Sequence, residues 1–379
     1  MKDIIKETVE MIESVDKEIM DKTQKRLDKL TKPLGSLGKL EELAKRIAGI
    51  TKKENPVIEN KVIFTMAGDH GVVEEGISAY PQEVTPQMVQ NFLNGGAGIN
   101  VLARHVGAKV IIVDMGIKID TEYKMPDAGC QSDDSERTSY ADSSEMSDQK
   151  IGFVNKKINH GTKNFTKGPA MTREEAEKAI IAGIEIFESE NKKKKIDIIG
   201  TGDMGIGNTT PSSAITAVFT GKKAEAVTGT GTGIDVNTLK HKVEVIEQGI
   251  KKNNPDPKNG IDVLSKVGGF EIGGLAGVIL ASAKAKTPVV IDGFISGAAA
   301  LIAYAIQPKV KDYLIASHCS VEKGHKAILD YIGIEPLFDF NMRLGEGTGA
   351  ALGINIADAS IKILKEMATF DSAGVSEKK

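Results

Sequence analysis

Tryptophan is absent from this chain and aromatic residues make up only 4% of it, so the core has to be built from aliphatic side chains. Cysteine is scarce as well. Cys130 and Cys319 lie far apart and form no metal-ligand spacing, which argues against a disulfide framework and fits a reducing compartment. The net charge of -3 gives no electrostatic reason to expect nucleic acid or an anionic membrane as the main partner, so any phosphate must be held locally. No apolar run approaches the ~20 residues needed to span a bilayer. Met1 leads directly into charged residues and not into a signal peptide. These absences predict a soluble, cytoplasmic protein without a metal centre or cofactor.

Glycine is what the chain has in quantity, with 40 residues. Four short β-prone runs end in glycine and an acid: Lys61 to Met66 before Asp69 and His70, Lys109 to Val113 before Asp114, Ile196 to Ile199 before Asp203, and Pro288 to Ile291 before Asp292. Helical stretches separate them. This is the pattern of an α/β protein with a Rossmann-like parallel sheet flanked by crossover helices, and ligands in such sheets gather beyond the carboxyl ends of the strands. The five acidic and histidine residues just named therefore belong to one rim, where each could equally cap a helix or close a turn. At 379 residues the chain calls for one large domain and a smaller companion.

Helical spacing of Ile4, Ile5, Val9, Ile12, Val15 and Ile19 predicts an opening amphipathic helix. A loop at Thr31 to Gly38 precedes a second, with Leu40, Leu43, Ile47 and Ile50 on one face. Asp120 to Asn164 is polar, aperiodic and rich in serine and aspartate, and reads as a long surface loop or insertion. At Thr172 and Glu175 the spacing of a capping box announces the next helix. Lys192 to Lys195 reads as its solvated end.

Three glycine-rich stretches carry the chemistry. Ile198 to Ser213 places four glycines and then Asn208, Thr209 and Thr210 directly after a strand, offering backbone N–H groups and a helix dipole to an anion. It matches neither the Walker pattern nor strict G-x-G-x-x-G. Thr228 to Gly233, TGTGTG, precedes a helical segment in which Lys242 could add a cation or simply be solvated. In Met342 to Gly353, MRLGEGTGAALG, a single acid, Glu346, stands between Gly345 and Gly347. A carboxylate without bulky neighbours can face a bound molecule and act as a general base once burial raises its pKa.

MAGDHGVVEEGISAYPQEVT at Met66 to Thr85, GTGDMGIGNTTP at Gly200 to Pro211, NGIDVLSKVGGFEIGGLAG at Asn259 to Gly277, SHCSVEKG at Ser317 to Gly324 and the Glu346 stretch together resemble the nicotinate-nucleotide:dimethylbenzimidazole phosphoribosyltransferases, which activate the lower ligand of cobalamin. The likeness runs from about Thr31 to the last helix. It implies a homodimer, with a small helical domain assembled from residues 1–50 and 336–379 around a large α/β domain of residues 51–335. It also implies transfer of the phosphoribosyl group of nicotinate mononucleotide to a benzimidazole nitrogen with inversion, giving α-ribazole 5′-phosphate and nicotinate, without metal. By motif, the catalytic base falls on Glu346 and the phosphate site on Gly205, Gly231, Lys242 and Ser320, beside Asn208 and Thr209. The base pocket falls on Tyr80, Met88, Met204 and Leu344. The chain departs from the pattern at Asp203, where a family member carries the longer Glu in catalytic contact with azole or ribose, and at Tyr80 and Met88, where polar residues are usual. The acceptor is thus open among benzimidazoles, adenine and phenolics. A nucleoside phosphorylase-like enzyme or a non-catalytic nucleotide sensor would share the glycine loops, but the first would use free phosphate and the second would have no need of Glu346.

Overall fold

The computed structural model describes residues 2–123, 151–231 and 233–376; Cys130, most of the polar 120–164 stretch and Thr232 of the second glycine loop lie outside the described residues. Seven strands form one parallel sheet: β1 Lys61–Gly68, β2 Lys109–Gly116, β3 Ile151–Asn155, β4 Ile198–Met204, β5 Val289–Ile291, β6 Leu314–His318 and β7 Pro336–Phe338, in the order β3-β2-β1-β4-β5-β6-β7. The four glycine-acid strands expected from the sequence are the central ones. The polar stretch predicts only loop where β3 lies. Ile151–Asn155 instead forms an edge strand on β2, a short IGFVN run that follows a long polar, aperiodic stretch. The peripheral β6 and β7 do not run into the glycine-and-acid ending that marks the central four, so that pattern does not pick them out.

The strands are apolar on both faces because helices cover both. Val62, Phe64 and Met66 of β1 enter one core, and Ile63 and Ala67 the other. On the first face lie helices Arg173–Lys193, Thr209–Thr220, Phe270–Lys284 and Phe294–Ile306. The second carries Lys39–Thr51, Val84–Leu93, Gly98–Val106 and Thr348–Glu366. The capping box holds as expected: Thr172 Oγ1 accepts the Glu175 N–H at 3.1 Å, and the Glu175 carboxylate accepts the Thr172 N–H at 2.8 Å.

The opening helix is broken. Lys2–Glu10 packs on Arg173–Lys193 and Phe270–Lys284, while Lys17–Asp28 joins Lys39–Thr51 and the C-terminal Thr348–Glu366 on the other side. Three contacts explain the break. Asp16 caps the second helix by accepting the Ile19 N–H at 3.0 Å, and the connector carbonyls of Ile12 and Glu13 accept from Lys309 Nζ and Tyr313 OH. The chain ends meet through Lys17–Asp28: Arg26 Nε donates to the Leu364 carbonyl at 2.8 Å, and Leu30 bridges Thr369. Among the described residues no helix is long and apolar enough to cross a membrane.

After β3 the chain returns across the sheet and lays β4 on the free side of β1. The order reverses there, and this switch point opens a crevice beyond the carboxyl ends of β1 and β4.

Helices Arg173–Lys193 and Phe270–Lys284 approach so closely that a Cβ on Gly183 would lie 1.9 Å from the Gly274 carbonyl oxygen. Gly183→Ala gains up to ~1 kcal/mol of helix propensity. The overlap is with backbone, which cannot rotate away, so the variant is expected to lose about 1–3 kcal/mol net. A denaturation midpoint at or above that of the unaltered chain would refute this packing.

Candidate active site

Glu346 sits in a turn that a side chain seldom tolerates. Gly345, Glu346 and Gly347 have φ of 79°, 65° and 101°, so an L-residue occupies the left-handed region between two glycines that enter it freely. Tertiary contacts hold it there. The Glu346 carbonyl accepts from Thr65 Oγ1 of β1 at 2.9 Å, and β4 passes so close that a Cβ on Gly202 would be 2.2 Å from the same oxygen. The side chain is buried, and its Oε2 accepts the Ile99 N–H at the start of helix Gly98–Val106 at 3.2 Å. Burial raises the carboxyl's pKa and the Ile99 bond only partly opposes it.

Asp292, following β5, is the anchor of this turn. Its two oxygens accept three N–H groups from the first turn of Thr348–Glu366: Gly347 at 3.1 Å, Gly349 at 2.6 Å and Ala350 at 3.1 Å. Burial nevertheless pushes it up to about 7 against those bonds. Sequence pattern places Asp292 on the rim with a helix cap among its alternatives; that the helix it caps is the one behind Glu346 is invisible to local pattern.

Asp203, at the end of β4, faces Glu346 from the other side. Its Oδ2 accepts from Asn208 Nδ2 at 2.9 Å and lies 3.4 Å from where a Cβ on Gly345 would stand, while its buried Oδ1 has no hydrogen-bond partner. Burial, reinforced by the charges of Asp292, Glu271 and Glu346, holds its carboxyl well above the usual range. Beneath it, His70 Nε2 and Glu271 Oε1 form a fully buried pair at 2.9 Å. Burial alone would depress the His70 pKa, but the Glu271 charge outweighs it and the net shift is upward.

A second cluster adjoins the first through one peptide link, since Asn208 holds Asp203 and its neighbour Thr209 accepts from Lys242 Nζ at 2.7 Å. Lys242 is buried, which pulls its pKa down to about 8 against the opposing pull of Glu322. A Cβ on Gly231 would fall 2.9 Å from Thr209 Oγ1 and 3.2 Å from Lys242 Nζ, so the glycine leaves the cation open to the loop. Glu322, unremarkable in the sequence, accepts the Gly231 N–H at 3.1 Å, and its own N–H donates to Ser320 Oγ at 3.3 Å. Gly205 packs against the Gly68 carbonyl, where a Cβ would be 2.1 Å away.

A family model described as Phosphoribosyltransferase matches residues 12–375. Enzymes named nicotinate-nucleotide–dimethylbenzimidazole phosphoribosyltransferase are similar throughout: that of Geotalea uraniireducens is 52% identical over 99% of both chains, and that of Desulforudis audaxviator 51% identical over 100% of this chain and 99% of its own. The chain belongs to the nicotinate-nucleotide–dimethylbenzimidazole phosphoribosyltransferase family. A crystal structure under nearly the same name, from Thermus thermophilus, superposes with a TM-score of 0.84 at 38% identity, covering 96% of this chain and all of that one.

In this phosphoribosyltransferase the remaining pocket residues are unevenly gathered. Leu344, 61% exposed, approaches Gly98 beside Glu346: a Cβ there would be 3.0 Å from Leu344 Cδ2 and 3.4 Å from Glu346 Oε2. Met88 and Met204 are half-buried against the core under Glu346, and Thr85, one turn before Met88, accepts the Ile206 N–H at 3.1 Å. Tyr80 stands apart, 53% exposed, with its backbone bonded to Ser78.

A carboxyl whose folded pKa lies above its unfolded value binds its proton more tightly in the native state. It therefore stabilises the fold at low pH, and that contribution is lost as pH rises from about 4 through about 7. For Asp292 the loss is on the order of 4 kcal/mol across the window, and Asp203 and Glu346 act in the same direction. Asp292→Asn should flatten the fall of denaturant midpoint between pH 4 and pH 7; an unchanged slope would show that Asp292 does not titrate there.

Proposed function

We propose that this chain transfers the phosphoribosyl group of nicotinate mononucleotide to a ring nitrogen of a benzimidazole-type base, with Glu346 as the general base. The observation that carries this reading is the buried Glu346 carboxylate, with its raised pKa, held in a strained turn at the switch point of the sheet. The acceptor nitrogen attacks the anomeric carbon from the face opposite nicotinate, the bond to the pyridinium nitrogen breaks, and its electron pair leaves with nicotinate. The positive charge passes to the azole, which loses its other N–H proton to Glu346 and becomes neutral. Because the leaving group is already cationic, it needs no further charge neutralisation. Much of the remaining rate comes from holding the reactants in line.

The 5′-phosphate fits the second cluster, where Lys242 supplies a buried cation and Gly205, Gly231, Thr209 and Ser320 supply backbone and hydroxyl groups. Asp203 and Asn208 lie between that cluster and Glu346, within reach of ribose or azole. Leu344 beside Glu346, with Met88 and Met204 half-buried on the same core, offers apolar surface to the base. On this reading helices Lys17–Asp28, Lys39–Thr51 and Thr348–Glu366, which meet on one face of the sheet, carry Glu346 against it. The chain works as a cytoplasmic homodimer, and the free Cys319 suits such a compartment.

Glu346→Gln keeps the shape and the bond to Ile99 but cannot take a proton. Turnover should fall by roughly 100- to 10,000-fold while donor affinity stays within about twofold. Rates measured across acceptors of graded pKa decide the matter: the loss should shrink for acceptors that arrive deprotonated. Near-wild-type rates for all of them would end the assignment.

A further inference from the structure

The Glu322 carboxylate occupies ground that a phosphate would need. Glu322 begins helix Lys323–Ile332 but makes no cap bond to it. Its side chain reaches instead across to the loop before Val236–Asn253, where Oε1 accepts the Gly231 N–H at 3.1 Å. Oε2 is buried without a hydrogen-bond partner, and it lies against the loop backbone so tightly that a Cβ on Gly229 would be 2.1 Å away. The residue is 6% exposed, and Lys242, 1% exposed, feels its charge. One loop N–H thus already serves an internal anion whose charge reaches the buried Lys242.

We propose that Glu322 is a built-in competitor for the donor phosphate, occupying the Gly231 N–H and sharing Lys242 until the phosphate displaces it. The inference rests on the phosphate reading of the Lys242 cluster. Two anions cannot share one buried cation without mutual repulsion, so a dianionic phosphate has to expel the carboxylate or force a proton onto it. The consequence is a donor affinity set lower than the loop and Lys242 alone would allow. Since the ribazole product keeps the same phosphate, Glu322 also aids its release. Meanwhile the carboxylate keeps the loop and the buried ammonium arranged as the phosphate will find them.

Calorimetric titration of nicotinate mononucleotide into the unaltered chain, Glu322→Gln and Lys242→Met tests this. Glu322→Gln keeps an oxygen for the Gly231 N–H but removes the charge, and its Kd should be about tenfold lower than that of the unaltered chain. Lys242→Met should raise Kd. If Lys242→Met raises Kd while Glu322→Gln leaves it unchanged or raises it too, Glu322 is no competitor and only this proposal falls. If Lys242→Met leaves Kd unaltered, the phosphate reading itself is wrong and the proposal falls with it. Should Glu322→Gln fail to fold, a crystal structure of the unaltered chain with nicotinate mononucleotide answers the same question: the Glu322–Gly231 bond should be broken, and its persistence beside a bound phosphate would overturn the proposal.

Discussion

The contact on which the site depends is the carboxylate of Asp292 laid across the start of helix Thr348–Glu366. A helix begins with N–H groups that lack intrahelical partners, and this one is buried, so an unmet donor would cost about 1–3 kcal/mol each. Asp292 meets three of them from a different strand. The helix start is thereby fixed to the end of β5 and the turn before it is forced into the left-handed region. Gly349 must be glycine because a Cβ there would lie 2.7 Å from the Asp292 carboxylate and 2.1 Å from His318 Nδ1. Gly202 must be glycine because the turn's backbone rests on β4. The orientation of Glu346 follows from these contacts more than from its own side chain.

Electrostatically the crevice has two unlike halves. Asp203, Asp292 and Glu346 share a buried region; burial raises the pKa of all three, and repulsion from neighbouring carboxylates adds to it for Asp203 and Asp292. A carboxylate with a raised pKa is a stronger base than an exposed one. The other half holds one ammonium, Lys242, whose burial lowers its pKa only as far as about 8, so it stays largely charged at neutral pH. The single link from Asn208 to Thr209 spans the two halves, tying the buried ammonium to the buried carboxylates.

The sheet's topology makes this division possible. Because the strand order reverses between β1 and β4, the loops after those strands splay apart, and segments distant in sequence fill the gap. Glu346, Lys242 and Glu322 come from three such segments.

The parallel sheet, four of its strands, the Thr172–Glu175 cap, the family and the singling out of Glu346 are all legible in the residues alone, because each is written in short-range periodicity, in turn chemistry or in a contiguous motif. The break near Asp16, the strand at Ile151–Asn155, the role of Asp292 and the presence of Glu322 at Gly231 emerge only once the chain is folded. The physical reason is distance along the chain. Asp292 reaches Gly349 across 57 residues and Gly231 reaches Glu322 across 91. Local pattern places Asp292 on the rim but names no partner for either acid, and it is the strand order that brings each to a backbone N–H in need of an acceptor.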